Sequence, residues 1–89
     1  MHYHVPMPTV KRFDRSRIEM YFGDHPPPHF HVITRNNERI AVVIETMAVL
    51  AGEADTRDTG EALRWASRNK AELRARWQVY SEEDGEGSK

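Results

Sequence analysis

The sequence has no cysteine, so neither disulfide bonds nor thiolate metal sites can support the fold. It has no apolar run near the ~18 residues of a membrane span, and its first residues lack the apolar core of a secretion signal. These absences predict a cytoplasmic protein with no membrane segment. The 13 basic and 14 acidic residues nearly cancel, so the chain is not expected to coat nucleic acid by net charge alone.

The 89 residues suffice for one small hydrophobic core. We predict a single domain over residues 7–82, preceded by an N-terminal extension (1–6) and followed by an acidic disordered tail (83–89). Because a domain this small buries only about 60% of its unfolded surface, a partner chain or a histidine-bound metal would add to its stability.

Apolar and polar residues alternate over residues 17–22, which is typical of a half-buried strand. Similar patterns predict strands at 9–13, 29–35 and 39–45, with a further short strand at 46–51. We therefore predict an antiparallel meander of about four strands.

Helical periodicity follows the strands, from Asp58 with its capping-box partner Glu61 to residue 82. Its apolar stripe comprises Leu63, Ala66, Leu73, Trp77 and Tyr80. Asn69 gives a second N-cap signal, so we predict either one kinked helix or two short helices, packed on one face of the sheet. Trp65 lies off the stripe, where it could contribute to an interface. The predicted fold class is α+β.

The most function-like feature is the run Asp24-His25-Pro26-Pro27-Pro28-His29-Phe30-His31. Its prolines fix φ and remove backbone donors, which predicts an extended polyproline-II connector. A three-residue hairpin loop at 36–38 would place His29 opposite Glu45 and His31 opposite Val43. A two-residue loop would instead bury both imidazoles in the core, so we favour the first register.

Several interpretations of this run remain open. The plainest is a rigid edge connector whose histidines are ordinary surface residues. A partner-binding surface would comprise Asp24, His25, Pro26, Pro27, Pro28, His29, Phe30 and His31, together with Glu45.

Two chemical interpretations compete with these. A metal-independent endoribonuclease would use His29 and His31 as acid and base, with Arg35 or Lys11 as the cation for phosphate charge. A divalent transition metal would instead take His25, His29 and His31 as ligands, completed by Asp24 or Glu45. No other cofactor is predicted.

The sequence also resembles a small bacterial family of unknown function over residues 7–80. The resemblance is carried by Met7-Pro8-Thr9, Arg12-Phe13, the run from Met20 to His31, Ile44-Glu45-Thr46 with Gly52, and the pattern Trp65, Asn69, Glu72-Leu73, Trp77.

The resemblance implies a genetic context for the protein. Members of the family look like one half of toxin–antitoxin-like two-gene cassettes. We therefore predict a partner-binding component whose partner is the neighbouring small protein of the same operon. RNA and a second copy of the chain are alternative partners, while DNA and membranes are not expected.

Overall fold

The computed structural model describes residues 9–87, and the side chains of residues 9–81. A five-stranded antiparallel sheet precedes two helices. The elements are β1 (Thr9–Arg12), β2 (Ser16–Glu19), β3 (His29–Thr34), β4 (Arg39–Val43), β5 (Val49–Glu53), α1 (Thr56–Arg68) and α2 (Lys70–Gly87). The predicted N-terminal extension, residues 1–6, lies outside the described residues.

The sheet order is β1-β2-β3-β4-β5, so each strand pairs with the next along the chain. The α+β meander is confirmed, with five strands instead of about four. The additional strand is well formed because β5 pairs along the length of β4, from Arg39 opposite Glu53 to Val42 opposite Val49.

One face of the sheet packs on the helices, as predicted. The buried cluster combines Ile18, Met20, Phe30, Val32, Ile40, Val42 and Ile44 with Ala62, Ala66 and Leu73 from the helices. Small alanines on α1 let the helix backbone approach the sheet closely. The alternation of the strands therefore determines which side chains are left on the other, open face.

Two helices are present, and Asn69 separates them as predicted. The Asn69 side chain donates a hydrogen bond to the Trp65 carbonyl oxygen at 2.8 Å, and the Asn69 carbonyl accepts from the Leu73 amide at 3.0 Å. The first helix begins earlier than predicted, because the N-cap is Asp55 and Asp58 lies in the first turn.

The predicted disordered tail needs a correction, since α2 continues to Gly87. Once a helix is nucleated, each further residue adds one hydrogen bond. Neither helix has an apolar stretch long enough to cross a bilayer, within the part of the chain that the structure describes.

The predicted register of the β3–β4 hairpin was wrong by two residues. His29 lies opposite Val43, and His31 lies opposite Ala41. Asn37 has φ 67°, and hydrogen bonds of 2.8 Å from the Thr34 amide to the Glu38 carbonyl and from the Asn37 amide to the Thr34 carbonyl close the loop over residues 35–37. The left-handed conformation of Asn37 thus moves the loop by one position. A shift of two residues leaves every side chain on its predicted face.

Gly52 tests the pairing of β4 with β5. Its φ is +88°, and an added Cβ would lie 2.1 Å from the Arg39 carbonyl oxygen. We expect Gly52→Ala to lower the free energy of unfolding by about 2 kcal/mol or more, measured by urea denaturation followed by circular dichroism.

Gly60 is the matched control. It lies inside α1, where an added Cβ would meet only the end of the exposed Arg64 side chain, at 3.3 Å. Alanine is favoured over glycine in a helix by up to about 1 kcal/mol, so Gly60→Ala should stabilise the domain. Equal effects of the two changes would contradict this account of Gly52.

Candidate metal centre

Three side chains converge at the start of β3. The Oδ2 atom of Asp24 lies 3.0 Å from His29 Nε2 and 3.3 Å from His31 Nε2. One ligand atom from each residue lies within 4.8 Å of the others. We call Asp24, His29 and His31 the triad.

The backbone positions the triad from two directions. His29 and His31 are two residues apart on β3, so they point to the same side of the strand. The chain turns after β2 through Gly23, which has φ 75°, and brings Asp24 back towards them. The Asp24 Oδ1 atom accepts the His25 amide at 3.0 Å, which leaves Oδ2 to face the imidazoles.

The orientation of the His29 ring is fixed from behind. Its Nδ1 atom lies 2.7 Å from the Pro27 carbonyl oxygen. Because a carbonyl can only accept, Nδ1 must carry the hydrogen. Metal-binding histidines commonly make such a hydrogen bond, which presents Nε2 to the ion.

With the hydrogen on Nδ1, the Nε2 atom of a neutral His29 has no hydrogen to donate to Asp24. With its lone pair exposed, it would face a carboxylate oxygen at 3.0 Å, and two acceptors repel each other at that distance. A proton or a metal cation must therefore lie between them. This conclusion follows from the hydrogen bond to Pro27, which determines the tautomer.

Aromatic rings enclose the two imidazoles. His29 is only 3% exposed, and its ring centroid lies 5.1 Å from that of Trp77. The His31 ring lies 4.6 Å from the Tyr21 ring. The Asp24 and His31 side chains each remain 17% exposed, so the triad is open to solvent on one side.

The lowered pKa values of Asp24 and His31 favour the charge states in which these groups bind a metal cation. Burial raises the pKa of Asp24, but a hydrogen bond from His31 and the electrostatic interaction with the nearby His29 more than offset this, so the pKa lies below its usual value. Burial lowers the pKa of His31, against the opposing hydrogen bond to Asp24. An anionic carboxylate and a neutral imidazole are the forms that ligate metals.

The structure does not bring His25 into the triad. Its side chain is exposed, and its Nδ1 atom lies 3.2 Å from the Pro26 carbonyl oxygen, although its ring is 5.8 Å from the His29 ring. Pro26, Pro27 and Pro28 are exposed. The chain bends at Pro26 and Pro27, where the peptide bond is cis, so the segment departs from the continuous polyproline-II connector that we predicted.

Two residues of the predicted binding surface lie elsewhere. Phe30 is fully buried in the core, since its side chain alternates with the two histidines and points to the helices. Glu45 is exposed and pairs with Arg74 at 3.3 Å, while its carbonyl accepts Lys70 Nζ at 2.8 Å. The prediction that Glu45 lies opposite His29 was therefore wrong.

The two predicted cations are also apart from the triad. Arg35 lies in the turn at the opposite end of β3, about 13 Å along the strand from His31 at ~3.3 Å per residue. Lys11 lies on β1, with Nζ 5.8 Å from the centroid of the Phe13 ring.

Sequence reasoning missed a polar network beside the triad. On the open face of the sheet, Arg17 Nε pairs with Glu19, Tyr21 Oη donates to Glu19 Oε1 at 2.6 Å, and Arg39 Nη1 donates to Tyr21 Oη at 3.1 Å. This network fixes the Tyr21 ring against His31. The alternation of Arg17, Glu19 and Tyr21 was visible in the sequence, but it also fits an ordinary solvated face.

Comparison with known proteins identifies the family. Residues 16–78 match the family model DUF4160, a domain of unknown function. The chain belongs to this family. The match covers more than half of the chain and includes the whole triad, and it agrees with the resemblance to a small family of unknown function. No curated protein and no solved structure matches the chain. Function must therefore be argued from the site.

Glu19 gives the network a measurable pH dependence. Burial raises the pKa of Glu19, but the hydrogen bonds from Tyr21 and Arg17 lower it by more than burial raises it. The net pKa is therefore below its ordinary 4.5. A lowered pKa in the folded state stabilises the fold above the unfolded-state pKa, and this stabilisation disappears as pH falls through the folded-state pKa.

We expect Glu19→Gln to lower the free energy of unfolding by about 1 kcal/mol near neutral pH, measured by urea denaturation with chelator present. The difference from wild type should shrink as pH falls below 4.5, the ordinary pKa of the group. Glu61→Gln is the control, because Glu61 is exposed and outside the ion pairs found among the described residues. A difference that stays constant with pH would contradict the assignment.

Proposed function

We propose that the domain binds one divalent transition metal ion, with zinc as the first candidate, through Asp24, His29 and His31. The observation that carries the proposal is the approach of two imidazole Nε2 atoms to one carboxylate oxygen, at 3.0 and 3.3 Å. An ion among these atoms satisfies all three groups at once.

The spacing fits zinc. Zinc–nitrogen and zinc–oxygen bonds are about 2.0–2.2 Å in tetrahedral sites, which places neighbouring ligand atoms about 3.3–3.5 Å apart. The distances from Asp24 Oδ2 to the two imidazoles are close to this separation, so little movement is needed. Both ligand types are also accepted by copper and nickel.

Three protein ligands leave a coordination position open. Structural zinc sites almost always have four protein ligands, whereas sites that act on a substrate keep one position for water or the reacting molecule. The triad is exposed beside Asp24 and His31. The ion would supply a Lewis acid and a water of lowered pKa at this position.

The triad supports a metal site better than a metal-free nuclease. Both Nε2 atoms face Asp24 and are not aimed at a shared position in solvent, as an acid–base pair requires. The predicted cation Arg35 lies in the far turn, and the nearer Arg39 donates to Tyr21.

We expect chelator-treated protein to bind one zinc ion per chain in competition with a chromophoric chelator. Zinc at about 100 times its dissociation constant should stabilise the fold by about 2.7 kcal/mol. Loss of a residue behind a ligand costs about 10–100-fold in affinity, so Asp24→Asn and His31→Ala should each exceed this loss.

His25→Ala is the matched control, because it removes a neighbouring exposed imidazole outside the triad. All variants carry His2→Ala and His4→Ala, so that additional histidines contribute no zinc sites. Circular dichroism checks that each variant is folded. Unchanged affinity in Asp24→Asn, or an equal loss in His25→Ala, would refute the assignment.

A second candidate function is partner binding, and the outer strand β5 favours it. This strand is exposed along its whole length, with Val49 53% and Leu50 47% exposed. An edge strand offers unpaired backbone groups to a partner. The predicted partner is the neighbouring small protein of a two-gene cassette.

Leu50 provides the test of this candidate. We expect Leu50→Lys to abolish a complex with the protein of the adjacent small gene, measured by size-exclusion chromatography with light scattering. Val79→Lys is the control, since Val79 on α2 is equally exposed at 52%. Loss of the complex in both variants, or no complex with wild type, would count against the β5 edge.

A further inference from the structure

A second feature of the chain lies apart from the triad, between β1 and α1. A cleft of about 570 Å³ opens there, which is within the usual 300–1,000 Å³ of ligand sites. Its walls carry four cations, from Lys11 and Arg12 on β1 and from Arg64 and Arg68 on α1, and two aromatic rings, Phe13 and Trp65. The carboxylates of Asp14 and Glu61 also line it.

The cations of this cleft form no ion pair among the described residues, although Asp14 and Glu61 line the same cleft. Five arginines outside the cleft each have a carboxylate within 4 Å, namely Arg15, Arg17, Arg57, Arg74 and Arg76. Arg39 donates instead to Tyr21 Oη, and Arg35 is outside the ion pairs found among the described residues. No such pair involves Lys11, Arg12, Arg64 or Arg68 in the part of the chain described. Two observations therefore coincide at this cleft. It is concave, and its four cations outnumber its two carboxylates without forming ion pairs with them.

The aromatic wall is arranged to receive a flat ligand beside a cation. Phe13 and Trp65 meet edge to face, with ring centroids 6.1 Å apart. Lys11 Nζ lies 5.8 Å from the Phe13 centroid and 5.9 Å from the Trp65 centroid. Both rings are only partly buried against the core, so part of each remains available.

We propose that this cleft binds single-stranded nucleic acid. Phosphates are attracted by the unpaired cations, while nucleobases stack on exposed aromatic rings, at about 1–3 kcal/mol per base. Carboxylates at the same wall can accept hydrogen bonds from exocyclic amino groups of bases. The inference is independent of the proposed metal site, because no residue is shared.

An acidic peptide would satisfy the cations alone. It offers no nucleobases to stack on Phe13 and Trp65, and its carboxylates cannot donate hydrogen bonds to Asp14 and Glu61 as the amino groups of bases can. The combination of stacking surface, cations and acceptors therefore favours a base-bearing polyanion. RNA and DNA strands share this chemistry, and the test below includes both.

The experiment titrates ¹⁵N-labelled full-length protein with single-stranded oligonucleotides of about ten residues, because ssDNA- and ssRNA-binding sites span roughly 4–16 nucleotides. The two indole N–H signals are assigned with Trp77→Phe. We expect the Trp65 signal to shift and the Trp77 signal to stay, since Trp77 packs on His29. Fluorescence anisotropy of labelled oligonucleotide gives the affinity.

Arg64→Gln/Arg68→Gln should weaken binding at least about tenfold at low salt, and should reduce the slope of log affinity against log salt by about 1.4, since each phosphate contact on a single strand contributes ~0.7. Arg57→Gln/Arg74→Gln removes the same charge outside the cleft and is expected to change affinity less than twofold. Comparing uridine with thymidine strands decides between RNA and DNA.

Four results would overturn the proposal: no binding by anisotropy, binding without a Trp65 shift, an equal loss in the control variant, or binding of poly-glutamate as tight as that of the oligonucleotide. The first would show that the protein does not bind the strand, and the second would show that the strand binds outside the cleft. The third would show that affinity depends only on the net charge of the protein. The fourth would show that the bases are not recognised.

Discussion

The carboxylate of Asp24 connects two parts of the chain that the sheet alone would leave independent. Its Oδ1 atom accepts the His25 amide at 3.0 Å, and its Oδ2 atom faces both β3 imidazoles. The proline segment between them is held at its other end by the hydrogen bond from the Ile44 amide to the Pro28 carbonyl, at 3.1 Å. The contacts of Asp24 at one end and this backbone hydrogen bond at the other together hold the segment against the sheet.

The two faces of the sheet have different roles because strand residues alternate. The face under the helices holds the apolar cluster and supplies the hydrophobic stabilisation. The open face carries Arg17, Glu19, Tyr21 and Arg39 as one polar network. In a chain of 89 residues, one core face is what the available apolar surface can cover, so the second face is free for polar chemistry.

Alternation made the sheet faces predictable even though the hairpin register was not. An error of two residues in β3 against β4 preserves the parity, so Phe30 and Val32 still meet Val42 and Ile40. What failed was the position of the turn, because asparagine at either 36 or 37 could take positive φ. The division of the helices at Asn69 was predictable because capping is a local interaction.

The triad and the cleft were less accessible to sequence reasoning, since both depend on chain segments that meet only after folding. Asp24 reaches His29 and His31 through the turn at Gly23, which no periodicity describes. Arg64 and Arg68 are four residues apart in α1 and share one face of the helix, a pattern that also fits an ordinary solvated surface. They become part of one basic wall only because β1 contributes Lys11 and Arg12 to the same cleft.

The triad and the cleft lie close together along the sheet but open on opposite faces of it. Thr9 on β1 pairs with Glu19 on β2, and Glu19 pairs with His31 on β3. Since adjacent strands are about 4.8 Å apart, the backbone of β1 runs about 10 Å from that of His31. The faces differ, however, because Lys11 of the cleft pairs with the core residue Ile18, whereas His31 pairs with Glu19 of the open face. The proposed metal site and the proposed nucleic-acid cleft are therefore separated by the sheet itself, so the chemistry proposed for one does not require the other.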